Sequence, residues 1–396
     1  MAAGETAAPV SSRWPARPAA LTLAAILILA APRLARAEDF IDYRYEDYSE
    51  TGGRVSVRTQ GISASEDIGT DMRFAFTFIN DAIAGATPNG VPAPPGTSQV
   101  PLTNLTDHRK AWDTDLSRQF GIVNVLVGYS QSREHDYVSR GWSLSTLTDF
   151  NQKNTELLVG VAGHNDNVET FFTPQHLYFD KQAFSAIAGL QQLLDPRTSV
   201  TLNVTWGRET GFLADQYKLA VKTIAILPGT TLLEYFAENR PGERNMASVF
   251  ASVNRAYPAL KGALEASYRL YGDTFGIVSN TAEVRWVQKL GTRVTLAPEL
   301  RFSQQDAAKF YYYNLDNTSI IPTRVPNPSG AAYSSDYRLS AFDAVTCGLR
   351  ATWKLAEHLR LEAAYARYAM RGTDGTTPQS AYPTANIVSA GARVSW

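Results

Sequence analysis

The chain has 396 residues and a formal net charge of −1, and 44% of its residues are hydrophobic, 11% aromatic and 19% charged. One cysteine, Cys347, excludes an intrachain disulfide framework. The balanced charge does not fit a polybasic protein that binds nucleic acid or a membrane surface. Beyond residue 37 no apolar run reaches the roughly 20 residues of a transmembrane helix. These facts fit both a secreted soluble protein and a membrane barrel, whose alternating strands hide their lipid face from a hydropathy window.

The first residues have the features of a secretory signal peptide. Arg13 and Arg17 precede an apolar run over residues 19–31, and a small-x-small site ends at Ala37. We therefore predict that residues 1–37 are removed. This takes away four of the 37 basic and one of the 38 acidic residues, so the mature chain has an excess of four acidic residues.

The mature chain alternates in polarity with the period of two that β-strands require. Over residues 264–270, apolar and polar side chains follow one another from Leu264 to Leu270. Amphipathic helices are almost absent, and residues 81–86 and 213–225 are the only short candidates. The predicted strands are residues 39–50, 53–64, 69–80, 107–119, 122–132, 141–150, 154–165, 182–193, 199–209, 245–256, 262–272, 278–289, 292–304, 338–353, 358–370 and 385–396.

The connections between these segments differ in length on the two sides. If the first strand starts in the periplasm, every periplasmic connection is short, and most carry Gly, Pro, Asn or Asp. The long connections all lie on the other side, near residues 81–106, 166–181, 210–244, 305–337 and 371–384. This sorting is typical of bacterial outer-membrane barrels. We therefore predict that residues 38–396 form an all-β, antiparallel up-and-down transmembrane barrel of about sixteen strands.

The C-terminal octet resembles the β-signal of bacterial outer-membrane barrels. The chain ends on the aromatic Trp396, with the apolar Val394 two residues before it and Gly391 five before it. In hydrocarbon no water can satisfy the free N–H and C=O groups of a strand, so a spanning sheet must have no edge. The strand 385–396 is therefore expected to pair with 39–50, and the octet to be recognised by the outer-membrane assembly machinery.

Several segments spread over most of the mature chain resemble one known family. They are residues 117–121, 135–141, 149–155, 195–198 and 333–340. The family is the uncharacterised outer-membrane barrel proteins, number 3570 in the domain-of-unknown-function series. The resemblance implies a bacterial outer-membrane location and a barrel fold, but no catalytic residue, because the family has no assigned activity. Residues 219–236 depart from the usual pattern and read like an added hairpin about Pro228 and Gly229. The candidate outer-loop residues in the resembling segments are His135, Asp136, Arg140, Asp336 and Arg338.

Charged residues recur on the polar faces of the predicted strands. The candidate pore-lining residues are Arg269, Glu283, Arg285, Glu299, Arg301, Arg360 and Glu362. Opposite charges on neighbouring strands can hold the shape of a barrel, and the same lining would set a transverse field that selects small polar solutes. We favour the structural interpretation. The Pro-rich residues 87–101 and the Tyr-rich residues 305–337 are predicted to fold inward or to cap the lumen.

No catalytic motif stands out. No two of the five histidines have H-x-x-x-H spacing, and G-x-S-x-G is absent. Glu134, His135 and Asp136 place three polar groups together, but a solvated loop explains them without a metal or acid–base site. We expect no metal, no cofactor and no enzymatic activity. A hydrolase at the rim is an alternative, which His135 or His164 would support by lying within hydrogen-bond reach of a serine and a carboxylate.

The predicted function is therefore a channel, or a conduit for transport or secretion of an unknown solute. The alternative is a non-conducting barrel that serves as a scaffold or receptor for a partner, which a plugged lumen with fully paired charges would favour. The expected partners are outer-membrane lipid, the outer-membrane assembly machinery, and an unknown solute or protein. No nucleic acid is expected.

Overall fold

A computed structural model describes residues 39–94, 96–170 and 176–396, and the predicted signal peptide lies outside them. Within this part of the chain the helices are four single turns of 3-10 helix. The strands are β1 (Phe40–Glu50), β2 (Ser56–Ile68), β3 (Met72–Pro88), β4 (Leu102–Phe120), β5 (Val123–Arg133), β6 (Tyr137–Phe150), β7 (Thr155–Thr170), β8 (Leu177–Asp195), β9 (Thr198–Gly211), β10 (Leu219–Leu227), β11 (Thr230–Ala237), β12 (Glu243–Tyr257), β13 (Gly262–Asp273), β14 (Val278–Leu290), β15 (Val294–Gln305), β16 (Phe342–Ala356), β17 (Leu359–Gly372) and β18 (Thr384–Ser395).

Sixteen of the described strands form one closed antiparallel sheet. Neighbours in sequence are neighbours in the sheet, except that β9 pairs with β12. The intervening β10 and β11 form a separate two-stranded hairpin. The last strand pairs with the first, with Phe40 opposite Ser395 and Glu50 opposite Ala385. The predicted sixteen-stranded barrel, its closure by the C-terminal strand and the hairpin about Pro228 and Gly229 are therefore confirmed.

The two ends of the barrel have connections of different length. At one end, which we call the turn end, they are residues 69–71, 121–122, 151–154, 196–197, 258–261, 291–293 and 357–358. At the other, the loop end, the described connecting residues are 51–55, 89–94, 96–101, 134–136, 176, 212–242, 274–277, 306–341 and 373–383. Gly121 and Gly291 have φ angles of 60° and 68°, a region that glycine adopts without strain. Such residues allow the tight reversals of the turn end.

Side chains alternate between the lumen and the outer surface along each strand. On β1, Asp42 is 5% exposed and faces inward, whereas Tyr43 is 42% exposed and faces outward. The outer surface carries exposed apolar side chains around the sheet, for example at Ile62, Leu144 and Val388. A closed sheet with an apolar outer surface has the form that a bilayer requires. In the described part of the chain no helix is long and apolar enough to cross a membrane.

Several strands are longer than predicted, because hydrogen-bonded pairing continues past the expected strand ends. The predicted loop 81–106 is reduced to residues 89–101, since β3 runs to Pro88 and pairs there with Leu102 of β4. In the same way, β7 and β8 extend into the predicted loop 166–181. The loops therefore begin farther from the barrel centre than the sequence indicated.

Two local predictions are wrong. The short helices are strands, because residues 81–86 continue the ladder of β3 and residues 219–225 belong to β10. Arg140 lies within β6 rather than on a loop, since it pairs with Gln131 of β5. Its side chain is exposed. In both cases tertiary pairing overrides the local pattern.

The connections of the loop end pack together and form a compact cap. We use this term for residues 89–94, 96–101, 212–242, 306–341 and 373–383. An apolar cluster joins the cap to the inner wall, with Tyr337 and Tyr382 of the cap beside Tyr48 of β1 and Met370 of β17. The cap contains parts of both segments predicted to fold inward. The loop end of the barrel is thereby covered on the side of β1 and β17.

Candidate functional site

The seven predicted pore-lining residues lie on the inward faces of β13, β14, β15 and β17. Their chain neighbours, such as Tyr268 and Leu300, are exposed on the outer surface. The register places Glu283 opposite Arg301 and Arg285 opposite Glu299. The seven residues are Arg269, Glu283, Arg285, Glu299, Arg301, Arg360 and Glu362. That they line a conducting pore stays a prediction.

Arg285 is the centre of an ion-pair network on the lumen wall. Its guanidinium lies 2.9 Å from the carboxylate of Glu299, 3.1 Å from that of Glu265 and 3.1 Å from that of Glu283. Three neighbouring strands are thereby joined by charge-assisted hydrogen bonds. Sequence reasoning missed Glu265 as a lining residue, although it lies on the same face of β13 as Arg269 and the alternation in that strand could have identified it.

A second network follows the seam where the barrel closes. Glu362 of β17 lies 3.7 Å from Arg44 of β1 and 3.7 Å from Arg350 of β16. Arg393 of β18 lies 3.2 Å from Asp42 of β1. Opposite charges therefore link the first strand to the last from inside the barrel.

The residues of the predicted assembly signal lie in β18 and directly after it, and they face both sides of the sheet. Gly391 faces the lumen, where a Cβ atom would lie 3.2 Å from the carbonyl oxygen of Tyr43. Val394 and Trp396 are exposed on the outer surface, and the backbone N–H of Trp396 donates to the carbonyl of Asp39 at 3.0 Å. The small residue thus faces the seam and the large apolar ones face outward. Their recognition by the assembly machinery stays a prediction.

Two arginines on the lumen wall lack a close acidic partner. Among the described residues, no carboxylate oxygen lies within 4.0 Å of the side-chain nitrogens of Arg269 or Arg301, because the neighbouring Glu283 pairs with Arg285. Arg269 instead lies 5.7 Å from the ring centre of Phe250. The charges of this wall are therefore not fully paired.

Two aspartates of β4, Asp113 and Asp115, lie on the opposite wall. β4 and β14 are eight positions apart in the ring of sixteen strands, which is half a turn. The paired residues can be traced from strand to strand around the barrel, starting at Asp113. In one direction they lead to Arg244, near the loop end. In the other direction they lead to Arg360, near the turn end. The position on β14 at the same height along the barrel axis as Asp113 therefore lies midway between the two ends of the strand, close to Glu283.

The width of the barrel decides whether the charges of these two walls act on a solute together or separately. Sixteen strands about 4.8 Å apart, tilted by roughly 40°, give a diameter of roughly 30 Å between backbones. This distance is several times the Debye length of about 8 Å at physiological ionic strength. In a water-filled lumen each wall therefore acts on a solute separately and at short range, rather than through one transverse field.

The arginine-rich wall is in contact with solvent. Arg269 is exposed although it faces the lumen, and the side chain of Glu265 on the same strand face is 41% exposed. Since both side chains point inward, the solvent that they contact lies within the barrel. The lumen along β13 is therefore open to water.

Above the lumen, the two longest cap segments are joined by a buried ion-pair network. Asp336 accepts hydrogen bonds from Arg240 at 2.9 Å and from Arg338 at 2.5 Å. Arg338 also donates to Asp215 at 2.5 Å, and Arg240 lies 2.7 Å from Glu238. Asp336 and Arg338 were predicted outer-loop residues, whereas the others were missed. No local motif marks them, because their partners lie far away in sequence.

Lys218 adds a third cation to this network. It is fully buried and donates to the carbonyl oxygen of Pro88 at 2.6 Å, and its ammonium lies 5.6 Å from the ring centre of Tyr337. Burial lowers the pKa of Lys218, although Asp336 and Asp215 oppose this effect. With three acidic and three basic side chains, the network is balanced in charge when all six are ionised.

Burial and pairing shift the acidic groups of the network in opposite directions. Burial alone would raise the pKa of Asp336, but Arg338, Lys218 and Arg240 hold it below its usual value. Burial raises the pKa of Glu238 to about 7, because the charge of Arg240 offsets the loss of solvation only in part. We therefore expect Glu238 to titrate near neutral pH.

Asp136 belongs to a second polar cluster, beneath the cap. Gln216 donates to it at 2.6 Å, and Tyr217 donates to the same oxygen. Asp107 and Glu134 are buried beside it, and carboxylate oxygens of the three residues lie within 4.8 Å of one another. Such oxygens are suitable ligands for a hard divalent cation. Burial, followed by the nearby carboxylates, raises the pKa of Tyr217, which therefore stays a hydrogen-bond donor.

Among the described residues, His164 does not complete a hydrolytic triad. His164 shares a 2.8 Å hydrogen bond with Asp166 through its Nδ1 atom, and Tyr137 donates to the same carboxylate. No serine is hydrogen-bonded to His164 within the described residues, and its Nε2 atom has no hydrogen-bond partner there. His135 lies in the short connection 134–136. His164 therefore has the predicted carboxylate partner but not the predicted serine partner.

A family profile described as “Protein of unknown function (DUF3570)” matches residues 18–104 and 95–381. No curated protein matches the chain. Solved structures with a similar fold include the ferric enterobactin receptor of Pseudomonas aeruginosa, with 11% identity over 90% of this chain and 60% of that chain and a TM-score of 0.46. The siderophore receptor PirA of Acinetobacter baumannii is 10% identical over 89% of this chain and 57% of that one, with a TM-score of 0.42. A loop-deletion mutant of OmpT, an outer-membrane protein of Vibrio cholerae, is 10% identical over 91% of this chain and 98% of that one, with a TM-score of 0.44. The chain thus spans about 60% of the receptors' length, and none of these similarities identifies a solute.

Proposed function

Because the chain belongs to the family described as “Protein of unknown function (DUF3570)”, we propose a function from its own geometry, namely a bacterial outer-membrane channel for small polar or charged solutes. The cap closes its outer mouth. The apolar outer surface of the barrel contacts outer-membrane lipid, and the C-terminal strand is used by the outer-membrane assembly machinery. Nucleic acid has no part in this proposal.

The observation that carries the proposal is the exposure of charged side chains inside the barrel. Arg269 is exposed and the Glu265 side chain is 41% exposed, although both point into the lumen. A barrel filled by its own side chains would bury these groups, and burying an unpaired charge is costly. A barrel of sixteen strands can hold an aqueous channel.

The cap is the main barrier in this proposal. Arg240 and Arg338 both bind Asp336 between segments 212–242 and 306–341, and Arg240 and Asp336 are buried there. We propose that a solute entering from the loop end passes this network or displaces it. We therefore expect a channel that is closed most of the time.

Conductance in a planar lipid bilayer tests the proposal. The purified protein should show rare openings, and the double variant Arg240→Met with Arg338→Met should conduct steadily. Arg118→Met is the matched control, because its pair with Asp71 is solvent-exposed at the turn end. If the wild-type protein and the cap variant both insert as folded barrels and neither conducts, the channel proposal is wrong.

The second candidate function is a non-conducting scaffold or receptor. It is supported by Arg285, which binds three carboxylates and so resembles a structural clamp rather than a solute site. Folded barrels that do not conduct, in both the wild-type protein and the cap variant, would favour this function. A conductance that appears only when the cap is loosened would favour the gated channel.

A further inference from the structure

The hairpin of β10 and β11 projects from the cap with an apolar tip. Its base is buried, since Ala220 forms a cluster with Leu315 and Tyr333. Beyond the base, Ile226 is 55% and Leu227 is 66% exposed. The exposed large apolar side chains of the hairpin are Ile224, Ile226, Leu227, Leu232, Leu233 and Tyr235. They lie on both faces of the hairpin, because Leu232 and Leu233 are consecutive residues of β11 and point to opposite faces.

The hydrogen bonds of β10 show which backbone groups face its outer edge. The carbonyl of Val221 accepts from the N–H of Leu315 at 2.9 Å, and the N–H of Thr223 donates to Asp316 at 2.6 Å. The backbone N–H and C=O groups of the odd-numbered residues of β10 therefore point away from β11. The even-numbered residues form the hydrogen-bonded pairs of the hairpin. The backbone N–H and C=O groups of the even-numbered residues of β11 therefore point towards β10.

The outer edge of β11 is consequently formed by its odd-numbered residues. Asn239, farther along the same edge, exchanges two backbone hydrogen bonds with Tyr333, at 2.8 and 2.9 Å. Thr231, Leu233 and Tyr235 follow on this edge. In the described part of the chain their outward N–H and C=O groups have no backbone partner.

An open edge of this kind is unusual in a folded protein. Natural edge strands are protected by lysines, prolines or bulges, but the one charged residue of β11, Glu234, is held by Arg324 at 3.1 Å. A two-stranded hairpin is also only marginally stable alone in water. A third strand would satisfy the edge and would pack its own side chains beside the apolar side chains of β11 on both faces.

We propose that the outer edge of β11 binds an extended segment of a partner protein by strand addition. The segment pairs with Thr231, Leu233 and Tyr235, and it carries uncharged, mostly apolar side chains on both faces. Backbone hydrogen bonds supply affinity, and the apolar side chains supply specificity. This inference does not depend on whether the lumen conducts.

The free backbone groups distinguish a strand from a lipid bilayer as the occupant. Hydrocarbon could cover Ile226 and Leu232, but it offers no partner to the N–H and C=O groups of the edge. Each unpaired group would be desolvated without compensation. A strand of another protein satisfies both the side chains and the backbone.

Binding of a synthetic strand to the purified full-length protein tests the proposal. The probe is a fluorescent peptide with the sequence of residues 219–227, which already pairs with β11 on its other edge, and binding is followed by fluorescence anisotropy. The wild-type protein should bind it saturably. Leu233→Pro removes one outward N–H and should weaken binding on the order of tenfold, whereas Leu233→Ala keeps that N–H and should bind within a few-fold of wild type.

Further measurements separate the other occupants. A peptide that is N-methylated at alternate residues should not bind the wild-type protein, which tests the pairing without altering the protein. Absence of binding, or equal loss in the alanine and proline variants, would overturn strand addition. Dimers that the proline variant abolishes would identify a second copy as the occupant, and binding to phosphatidylglycerol vesicles that this variant leaves unchanged would identify lipid. Either of these results would overturn a partner protein.

Discussion

Arg240 and Asp336 are 96 residues apart in the chain, and their side chains meet at 2.9 Å in the interior of the cap. Arg240 belongs to the segment between β9 and β12, and Asp336 belongs to the segment between β15 and β16. Both side chains are buried. A buried ion pair is weak evidence for stability, but removal of one partner leaves an uncompensated charge. The pair therefore makes the position of each segment depend on the other.

We expect Asp336→Asn to loosen the cap. The substitution leaves Arg240 and Arg338 buried with less negative charge around them, a change that costs about 3–5 kcal/mol in comparable sites. Hydrogen exchange of residues 212–242 should accelerate, while exchange of the barrel strands should not. Asp71→Asn is the control, because it breaks an exposed pair with Arg118 that is worth at most about 1 kcal/mol. Equal exchange in the two variants would contradict the cap network.

The cap should lose stability as the pH rises towards and through 7. Folding raises the pKa of Glu238 from its ordinary value of 4.5 to about 7, so the folded cap binds a proton that the open cap releases. This contribution is complete below about pH 4.5 and is lost as the pH rises through 7. The charged and polar groups that face Glu238 are Asp215, Lys218, Arg240, Ser334 and Asp336. The pKa of Asp336 is lowered, so it acts only in more acidic solutions.

Hydrogen exchange of the cap, corrected for the intrinsic pH dependence of exchange, measures this effect. Protection should fall between pH 5 and 8 in the wild-type protein. Glu238→Gln cannot ionise and should flatten the profile. A profile that is the same in both proteins would exclude Glu238 as the titrating group.

Arg285→Gln should destabilise the barrel. The substitution leaves Glu265, Glu283 and Glu299 close together without their shared cation. A loss of roughly 1–2 kcal/mol is expected, because the Glu265 side chain is 41% exposed and solvent screens part of the repulsion. Urea-induced unfolding in detergent measures it. Arg269→Gln is the matched control, because no carboxylate lies within 4.0 Å of Arg269 among the described residues, and its effect should be clearly smaller.

Replacement of Trp396 by Asp should impair membrane assembly more than solute selectivity. Trp396 is exposed on the outer surface, and its side chain is not part of the lumen wall. The amount of heat-modifiable barrel in the outer-membrane fraction measures assembly. Trp353→Asp serves as the comparison, since Trp353 is also exposed but lies within β16. Normal insertion of the Trp396 variant would remove the assembly-signal interpretation and leave the barrel unaffected.

The barrel itself could be predicted because its determinants are local. Alternation of polarity sets which side chains face inward, as for Asp42 and Tyr43. Short turns with glycine, such as Gly121 and Gly291, set where strands reverse. Even the closing pair of strands followed from the requirement that a spanning sheet has no edge. The ends of the strands were predicted less accurately. The pairing of Pro88 with Leu102, for example, depends on β3 and β4 together and not on either segment alone.

The candidate site could be predicted only in part. Alternation identified the face that carries Arg285, but it did not show that one guanidinium binds three carboxylates while Arg269 and Arg301 have none within 4.0 Å in the described residues. Asp336 and Arg338 were singled out by family resemblance. Their partners were missed because Asp215 is 123 residues from Arg338 in the chain.

The sequence by itself determined the closed sheet, the separation of turns and loops, and the inward and outward faces, because each follows from the pattern of neighbouring residues and from the need to pair every strand. Only the tertiary structure decided how the cap is built and which edge stays open. The partners of Asp336 and the covering of β10 by Leu315 arise from contacts between segments distant in the chain. No local periodicity encodes such contacts, so the partial covering of the loop end and the free edge at Leu233 became visible only in the folded molecule.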